Sequence, residues 1–388
     1  MKLGTYIQVP FCQTKCTYCN FHTGVVSSAR YAPYAAAVQT EIREHRSRLA
    51  GAGVELPADF GGLTVDTAYF GGGTPSLLDP SHLRGILDAI RETFWCDLRE
   101  VTLEADPETV EIEKAAAWAN AGINRISFGV QSFSDVELKA AGRMHRRADV
   151  YRAVEILHAA GPHNISFDLI AGLPHQTPAS WRSSLDELIQ LSPQHVSVYL
   201  LEVDEGSRLG GEILRGGKKY SASAVPSDEA MAESYDLARE MLAAAGYQHY
   251  EISNFARPGF ASEHNRKYWR RKPYLGFGAG AHSFSRAQRW ANAHDAAAYV
   301  QSVVAGKLPI EQLEPVSPAQ ALEEELFLGL RQLGGIDLNR LEQDYGIPLG
   351  DRFTSLVSSG MVERDGAVVR LAPEHLSISS EVFVELMR

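Results

Sequence analysis

Short apolar segments alternate with longer amphipathic segments along the first half of the chain. Six of the short segments have the length and composition of buried strands, namely residues 3–9, 65–70, 101–104, 125–128, 165–170 and 195–201. One intervening segment repeats apolar residues at helical spacing, at Tyr31, Tyr34, Val38, Ile42 and Leu49. Strands that alternate with helices predict a parallel α/β sheet, either curved into a partial barrel or left open.

The pattern changes near Ser317. Helical periodicity covers residues 322–332, 338–345 and 351–359, and an alternating segment follows that turns at Asp365 and Gly366. Three helices and a hairpin predict a winged-helix-like α+β module. We therefore predict a barrel-like domain over residues 1–245, an extension with a linker region over 246–316, and a C-terminal domain over 317–388.

The net charge of the chain argues against one class of binding partner, nucleic acids. The 388 residues carry a formal net charge of -11 at pH 7, whereas nucleic-acid-binding proteins usually present a basic surface. Winged-helix modules often bind DNA, but this one begins with Glu323, Glu324 and Glu325 and has no evident basic recognition helix. We expect no nucleic-acid partner and interpret the module as a packing lid or a protein contact surface.

The N-terminal segment and the cysteine usage indicate the cellular compartment. The chain shows no signal peptide, and its apolar runs are too short to span a bilayer. Three of the four cysteines lie between Cys12 and Cys19, which gives no disulfide framework, and Cys96 is interpreted as a buried free thiol. These features predict a cytoplasmic protein and are compatible with peripheral contact at the inner face of a membrane.

The segment PFCQTKCTYCNF contains Cys12, Cys16 and Cys19 directly after the first predicted strand. Pro10 and the polar spacers predict a loop, and a short loop can fold three thiolates around one inorganic centre. One alternative is a buried helix face, because spacings of four and three place the cysteines on one side of a helix. Another is a zinc site completed by His22, although zinc ligands usually come in two separated pairs.

The spacing favours a third interpretation, a 4Fe-4S cluster. Thiolates suit iron-sulfur clusters, and three thiolates leave one of the four irons without a protein ligand. Such an open coordination position allows a substrate or a cosubstrate to bind. The cysteine segment therefore predicts a cluster with a chemical role.

Polar residues stand where three of the predicted strands end, at Glu104, Gln131 and Asp168. Each of them alone would more often be a capping or solvated residue. Because the carboxyl ends of parallel strands form the site in such folds, their recurrence at one edge predicts that they converge on the cysteine loop.

Two glycine-rich segments indicate close approaches of the backbone. GGGTP at 71–75 follows the second predicted strand and predicts a cradle for a cosubstrate. It is not a phosphate-binding P-loop, since no Gly-Lys-Ser/Thr follows. GFGAGA at 276–281 has the glycine spacing of a dinucleotide fingerprint, but it lacks a clear strand before it and a helix after it. We therefore reject a dinucleotide site there.

The segment from residue 250 to residue 284 is rich in aromatic residues, histidine and glycine. That composition suits a flat aromatic ligand, with His264 as a candidate axial ligand to an iron. A packed loop with surface histidines has the same composition. Both interpretations stay open at this point.

Six segments together closely resemble the oxygen-independent coproporphyrinogen oxidase family of radical S-adenosylmethionine (SAM) proteins: YIQVPFCQTKCTYCNF, YFGGGTPS, LEADPET, SFGVQSF, FDLIAGLP and HNRKYW. The match runs in order over nearly the whole chain. The resemblance implies a (β/α)6 partial TIM-type barrel, the radical SAM core, with a C-terminal winged-helix-like α+β domain. It also implies that Cys12, Cys16 and Cys19 bind a 4Fe-4S cluster whose fourth iron binds SAM.

The resemblance further implies a set of SAM-binding residues. They are Tyr6, Gly72, Gly73, Thr74, Glu104, Gln131, Arg143 and Asp168. From the residues alone, Glu104 and Asp168 suit hydroxyl or ammonium groups, and Arg143 can pair with a carboxylate through its planar fork.

Two functions of different class follow from the resemblance. Oxidases of the family decarboxylate the propionates of coproporphyrinogen III through a 5'-deoxyadenosyl radical. They carry a further cysteine two positions after the third and a long N-terminal extension, whereas here that position is Phe21 and the first strand begins almost at Met1. Both differences, together with HNRKYW, favour the branch of the family that binds heme and delivers it to hemoproteins.

The resemblance also indicates the partners that we expect. They are heme, recipient hemoproteins that include membrane-associated respiratory proteins, an electron donor if SAM is cleaved, and a second copy of the chain in a homodimer. His264 in HNRKYW is the candidate heme ligand.

The cysteine spacing generates a first test. Anaerobically prepared protein should be brown and contain about four irons per chain, because three thiolates hold a cubane cluster. Cys16→Ala should abolish both the colour and the bound iron, as measured by iron and sulfide analysis and absorption spectroscopy. A colourless protein with stoichiometric zinc after anaerobic reconstitution would contradict the prediction.

Overall fold

The six predicted strands form the centre of one twelve-stranded sheet. The computed structural model describes residues 2–57 and 60–387. Its strands are β1 Lys2–Val9, β2 Thr64–Gly72, β3 Trp95–Ala105, β4 Arg125–Gln131, β5 Asn164–Ala171, β6 His195–Leu200, β7 Gln248–Glu251, β8 Asn254–Ala256, β9 Tyr274–Phe277, β10 His282–Phe284, β11 Gln288–Asn292, β12 Ile310–Pro315, β13 Ile336–Asp337, β14 Val362–Asp365 and β15 Val368–Leu371. The large sheet has the order β12-β11-β10-β9-β1-β2-β3-β4-β5-β6-β8-β7.

Helices connect most of these strands. They are α1 Tyr31–Leu49, α2 Pro80–Thr93, α3 Ile112–Ala121, α4 Asp135–Ala140, α5 Arg147–Ala160, α6 Pro178–Leu191, α7 Arg208–Leu214, α8 Asp228–Ala244, α9 Glu263–Trp269, α10 Ala296–Val304, α11 Pro318–Leu330, α12 Leu338–Tyr345, α13 Thr354–Ser358 and α14 Ser379–Leu386. Within the described residues, none of the helices combines the length and the apolar character that crossing a bilayer requires.

Strands β1 to β6 lie side by side in chain order, and all of them run parallel. Parallel neighbours require a crossover connection, which the intervening helices supply. The carboxyl ends of the strands align, since Val9 pairs with Gly72 and Ala171 pairs with Leu200. This topology confirms the predicted α/β class and the (β/α)6 partial barrel.

The crossover helices form one layer against the sheet. Helix α1 packs on α2, α2 on α3, α3 on α5, and α6 on α8. Trp118 of α3 and Trp181 of α6 are fully buried on the apolar faces of these amphipathic helices. The Trp181 indole N–H donates to the Ser234 carbonyl oxygen at 2.7 Å, which joins α6 to α8.

Four further strands extend the sheet beyond β1. Strand β9 pairs with β1 in parallel, and β10, β11 and β12 follow as antiparallel strands. The expectation that no strand precedes residues 276–281 was wrong, because β9 covers Tyr274–Phe277. The segment leads into β10 and not into a helix, so the rejection of a dinucleotide fingerprint stands.

At Gly278, φ is +100°, and a Cβ would lie 2.5 Å from the Gln8 carbonyl oxygen.

A buried carboxyl group fixes this extension to helix α1. Glu41 accepts hydrogen bonds from the Gly278 N–H at 2.9 Å, the Asn292 amide at 2.7 Å and the Tyr299 hydroxyl at 2.6 Å. Burial raises the pKa of Glu41 to about 7 against the opposite effect of these three donors. One side chain therefore connects α1 with β11, α10 and the turn after β9.

The C-terminal strands form a separate three-stranded sheet in the order β13-β15-β14. The hairpin of β14 and β15 closes between Asp365 and Val368, in agreement with the predicted winged-helix-like module. Glu324 on α11 accepts hydrogen bonds from Arg271 and Arg289, each at 2.8 Å, so the acidic start of the module binds the sheet extension. The division of the chain after residues 245 and 316 stays a prediction.

The interpretation of Cys96 as a buried thiol was wrong. Cys96 is exposed, as are Trp95 and Asp97 beside it at the amino end of β3, where Leu98 is half-buried before the buried Glu100. Apolar neighbours in sequence therefore did not indicate burial at this strand end.

Glu41 generates a prediction for the pH dependence of stability. Its pKa is about 7 in the folded chain but about 4.3 in an unfolded chain, so protonated Glu41 favours folding. This contribution is fully present below about pH 4 and is lost as the pH rises through about 7. The free energy of unfolding of Glu41→Gln, relative to the wild type, should therefore increase by up to roughly 4 kcal/mol between about pH 4 and pH 8.

Denaturant unfolding at several pH values measures this difference. Glu113→Gln is the matched control, because Glu113 is exposed on α3 and its pH dependence should follow that of the wild type. Parallel pH profiles for Glu41→Gln and the wild type would contradict the assignment of a raised pKa to Glu41.

Candidate functional site

Two loops that leave neighbouring strands contact each other at the carboxyl edge of the sheet. The Gly73 N–H donates to the Val9 carbonyl oxygen at 2.8 Å, and the Thr74 N–H donates to the Phe11 carbonyl oxygen at 2.7 Å. A Cβ on Gly73 would lie 2.4 Å from the Phe11 carbonyl oxygen and 3.0 Å from Cys12 Sγ. Only glycine permits this approach, so the glycine turn after β2 holds the cysteine loop after β1.

The cysteine loop has further backbone anchors. The Cys12 N–H donates to the Gly24 carbonyl oxygen at 3.1 Å, and the Gly24 N–H donates to the Pro10 carbonyl oxygen at 2.9 Å, which closes the loop on itself. The Thr17 N–H donates to the Ala141 carbonyl oxygen at 3.0 Å and ties the loop to the end of α4. The positions of the three cysteines are therefore set by contacts with the glycine turn and with the end of α4, together with hydrogen bonds inside the loop.

The three thiols of this loop are free and half-buried. Burial raises the pKa of the Cys12 and Cys19 thiols. Arg143 donates to Cys16 Sγ at 3.5 Å and places a positive charge beside the sulfur. This donor set fits a 4Fe-4S cluster, in which each cysteine binds a different iron.

The zinc alternative receives no support from the geometry. In the part of the chain that the structure describes, no three His, Cys, Asp or Glu side chains are arranged to hold one metal ion, whereas a structural zinc ion needs four converging ligands. His22 instead packs against His294, with ring centroids 4.3 Å apart. The buried-helix alternative was also wrong, because residues 12–24 contain no helix.

Arg143 is held by acceptors of its own chain. It forms an ion pair with Asp106 and donates to the Gly129 carbonyl oxygen at 2.8 Å. Asp106 also accepts from the Thr74 hydroxyl at 3.0 Å. Asp106 therefore links Arg143, next to the cysteine loop, with the glycine turn. Asp106 was not among the predicted site residues, although it stands in LEADPET only two positions after Glu104.

Glu104 lies at the end of β3, directly beside the glycine turn. It accepts hydrogen bonds from the Tyr69 hydroxyl at 2.9 Å and from the Gly72 N–H at 3.0 Å. Burial raises the pKa of Glu104 to about 7, and the negative charge of Asp168 contributes in the same direction. Because an ionised carboxylate offers about four acceptor positions, Glu104 retains capacity for a ligand donor.

Asp168 and Gln131 complete the edge on β5 and β4. The Ser127 hydroxyl donates to Asp168 at 3.4 Å, and burial raises the pKa of Asp168 to about 6. Gln131 has a left-handed backbone with φ +65°, and its side-chain oxygen is buried without a hydrogen-bond partner among the described residues. A buried acceptor of this kind fits a ligand that supplies the missing donor.

Tyr6 lies on β1, close enough to Glu104 for the carboxylate to contribute to the raised pKa of its hydroxyl after the larger effect of burial. Its hydroxyl donates to the Gln8 side-chain oxygen at 2.9 Å, and its ring stacks on Tyr69 with centroids 5.9 Å apart. The structure thus brings all the residues of the predicted SAM site to one edge of the sheet. Their contact with SAM itself stays a prediction.

His264 does not belong to that edge. It lies on α9 and is buried against the inner face of the sheet, where its Nδ1 bonds the Thr67 hydroxyl at 2.8 Å and its Nε2 bonds the Tyr268 hydroxyl at 2.9 Å. Burial lowers the pKa of His264 to about 3. Both ring nitrogens are engaged, so this geometry argues against the candidate role of His264 as an axial heme ligand.

The helix that carries HNRKYW serves a packing role in this structure. Glu100 of β3 accepts from the Ser262 hydroxyl at 3.1 Å and from the N–H groups of Glu263 and His264, each at 2.9 Å. Lys267 forms a buried ion pair with Asp66 of β2 at 2.7 Å. These contacts attach α9 to strands β2 and β3.

Comparisons with known proteins agree with this architecture. The family model described as the Radical SAM superfamily matches residues 6–188, and the HemN C-terminal domain model matches residues 316–375. A Bacillus subtilis protein named heme chaperone HemW is 33% identical over 386 residues, which cover 98% of each chain. The chain belongs to the HemW family of radical SAM proteins. Membership of this superfamily implies a 4Fe-4S cluster and SAM as cofactors.

A mitochondrial protein and a solved enzyme structure are also similar to the HemW-family chain. A Bos taurus protein named radical S-adenosyl methionine domain-containing protein 1, mitochondrial, is 32% identical over 403 residues, which cover 100% of this chain and 87% of that protein. The solved structure of coproporphyrinogen III oxidase (HemN) from Escherichia coli has a TM-score of 0.83 at 22% identity, and the match covers 99% of this chain and 90% of that one. At this identity the likeness establishes the shared fold.

The close contact at Gly73 generates a prediction for cluster assembly. Gly73→Ala should lower the iron and sulfide content of the HemW-family chain, because the added Cβ would displace the backbone of Phe11 beside Cys12. Gly24→Ala is the matched control in the same loop, since a Cβ there would have no neighbour within 4 Å. Equal cluster content in both variants would contradict the proposed role of this contact.

The raised pKa of Glu104 generates a prediction for SAM binding. The ionised carboxylate accepts hydrogen bonds from hydroxyl or ammonium groups, so SAM affinity should rise as the pH increases through about 7. Glu104→Gln should weaken binding by about 1 to 3 kcal/mol above that pH and remove most of the pH dependence. Calorimetry on cluster-containing protein measures this, with exposed Glu111→Gln as the control. Unchanged affinity in Glu104→Gln would exclude Glu104 from the SAM site.

Proposed function

We propose that this chain is a heme chaperone, which binds heme and passes it to hemoproteins. The observation that carries the proposal is the identity of 31 to 36% with proteins named heme chaperone HemW from Bacillus subtilis, Lactococcus lactis and Synechocystis. The matches with the first two cover 98% and 99% of this chain. Phe21 at the position of the additional oxidase cysteine supports the same proposal.

In this proposal the carboxyl edge of the sheet holds a 4Fe-4S cluster and SAM. Cys12, Cys16 and Cys19 bind the cluster, and Arg143, fixed by Asp106, supplies positive charge beside Cys16. When bound, a cluster of this kind supplies one electron to the sulfonium group of SAM.

The remaining residues of this edge bind and orient the cosubstrate. Glu104 and Asp168 accept hydrogen bonds from its hydroxyl or ammonium groups, and Gln131 provides a buried oxygen that has no hydrogen-bond partner among the described residues. The glycines at 71–73 keep side chains away from it and let the backbone approach.

The proposal of further binding partners, besides heme, rests on the resemblance alone. They include membrane-associated respiratory hemoproteins as recipients, an electron donor that reduces the cluster if SAM is cleaved, and a second copy of the chain. The heme-binding step is the part that distinguishes this function from that of the oxidases.

Two parallel assays test the proposed function. Reconstituted protein should show saturable heme binding in an absorption titration. With SAM, a reductant and coproporphyrinogen III, it should give no decarboxylated product at catalytic turnover, as measured by porphyrin chromatography. Catalytic decarboxylation without saturable heme binding would contradict the chaperone function and favour the oxidase.

A further inference from the structure

Three histidines outside the cluster and SAM site meet beside the cysteine loop. His22 follows Cys19 by three residues, His282 begins β10, and His294 lies two residues after β11. Because β9 is parallel to β1 and β10 is antiparallel to β9, β10 begins and β11 ends at the edge where β1 ends. The sheet therefore brings the three rings to the edge that carries the cysteines.

These rings are close to one another. The centroids of His22 and His294 are 4.3 Å apart, with an angle of 38° between the ring planes. Burial lowers the pKa of His282, and the neighbouring His294, Arg289 and His22 lower it further. At Gly280, φ is +72°, and a Cβ would lie 2.9 Å from His294 Nδ1. The chain thus leaves room for an imidazole at this point.

His22 and His282 are both exposed, and of the two His22 is the one that lies in the cysteine loop. The ring nitrogens of His22 form no hydrogen bond with other residues in the described ranges 2–57 and 60–387. Behind it, His294 Nδ1 is buried and also lacks a hydrogen-bond partner within these ranges. This contrasts with His264, whose two ring nitrogens are both engaged. His22 can therefore donate a lone pair to a ligand without losing an existing bond.

Apolar surface flanks His22 on both sides in the sequence. Phe21 is 64% exposed and Val25 is 59% exposed. Single exposed apolar residues are ordinary, but two beside an accessible imidazole present the type of surface that a porphyrin plane can cover. The Lys15 ammonium lies 3.3 Å from the Phe21 carbonyl oxygen and places a positive charge where a propionate can pair with it.

The arrangement suits heme iron better than a bare metal ion. Within the residues that the structure covers, no group of three or more His, Cys, Asp or Glu side chains is arranged around a single ion. Heme iron already has four porphyrin nitrogens and needs only one or two axial ligands from the protein. Two rings packed side by side cannot take the two opposite axial positions, so one imidazole binds and the other supports it.

We propose that His22 is an axial ligand of the heme that this chain carries, with Phe21 and Val25 against the porphyrin face and His294 packed behind the imidazole. The site rests on the proposed chaperone function and replaces His264 as the candidate ligand. It places heme beside the cluster loop, because three residues span at most about 11 Å between the Cα atoms of Cys19 and His22.

Heme titration of cluster-containing wild type, His22→Ala and His163→Ala tests this site. His163 is an exposed histidine just before β5, at the opposite edge of the sheet, and serves as the matched control. His22→Ala should weaken heme binding by at least about tenfold and alter the absorption and electron paramagnetic resonance spectra. Free imidazole should restore the wild-type spectrum in His22→Ala, because it fills the vacated ligand position.

The possible outcomes distinguish an error in the heme ligand from an error in the proposed function. Unchanged heme affinity and spectra in His22→Ala would overturn the site and leave the chaperone function intact. Absence of saturable heme binding in the wild type would overturn the function itself.

Iron and sulfide analysis of each variant reports cluster content. If His22→Ala loses its cluster, the comparison uses His22→Gln, which keeps a polar side chain of similar size but offers no imidazole. Wild-type heme spectra in a cluster-containing His22→Gln protein would equally overturn the site.

Discussion

The contact between the cysteine loop and the glycine turn determines the geometry of the carboxyl edge. The N–H groups of Gly73 and Thr74 donate to the carbonyl oxygens of Val9 and Phe11, so the loops that follow β1 and β2 are joined directly. A side chain at position 73 would occupy the space of the Phe11 backbone. The three thiols are therefore positioned by the register of two adjacent parallel strands, and cluster binding depends on the sheet rather than on the loop alone.

The charged side chains around this contact are largely shielded from water. Asp106 connects Arg143 with Thr74, and Arg143 faces Cys16, so one cation stands between a carboxylate and a thiol. Glu104 and Asp168 have raised pKa values because the barrel interior shields them from water. Buried carboxyl groups are costly, and their presence at one edge is typical of a ligand site. The superfamily assignment implies SAM as a cofactor, and its contact with these two residues stays a prediction.

The local pattern of the sequence was sufficient for the fold and for much of the edge. All six parallel strands, the hairpin near Asp365 and the polar strand ends have short-range signals, namely apolar runs, turn residues and motif spacing. Features that depend on contacts between distant residues were not predictable. The ion pair of Arg143 with Asp106, the burial of His264 under β2 and the packing of His22 on His294 each require the folded sheet. The exposure of Cys96 is shared by Trp95 and Asp97 at the amino end of β3, and the apolar residues around it in the sequence did not indicate it.

The central claim is that this radical SAM scaffold carries heme and releases it to an acceptor. The most direct measurement is heme transfer from the heme-loaded, cluster-containing chain to an apo-hemoprotein, followed by absorption spectroscopy against an equal concentration of free heme. We expect that heme leaves the chain and that the acceptor acquires its native spectrum in a specific, saturable reaction. Retention of heme by the chain, or loading of the acceptor only at the rate given by free heme, would contradict it.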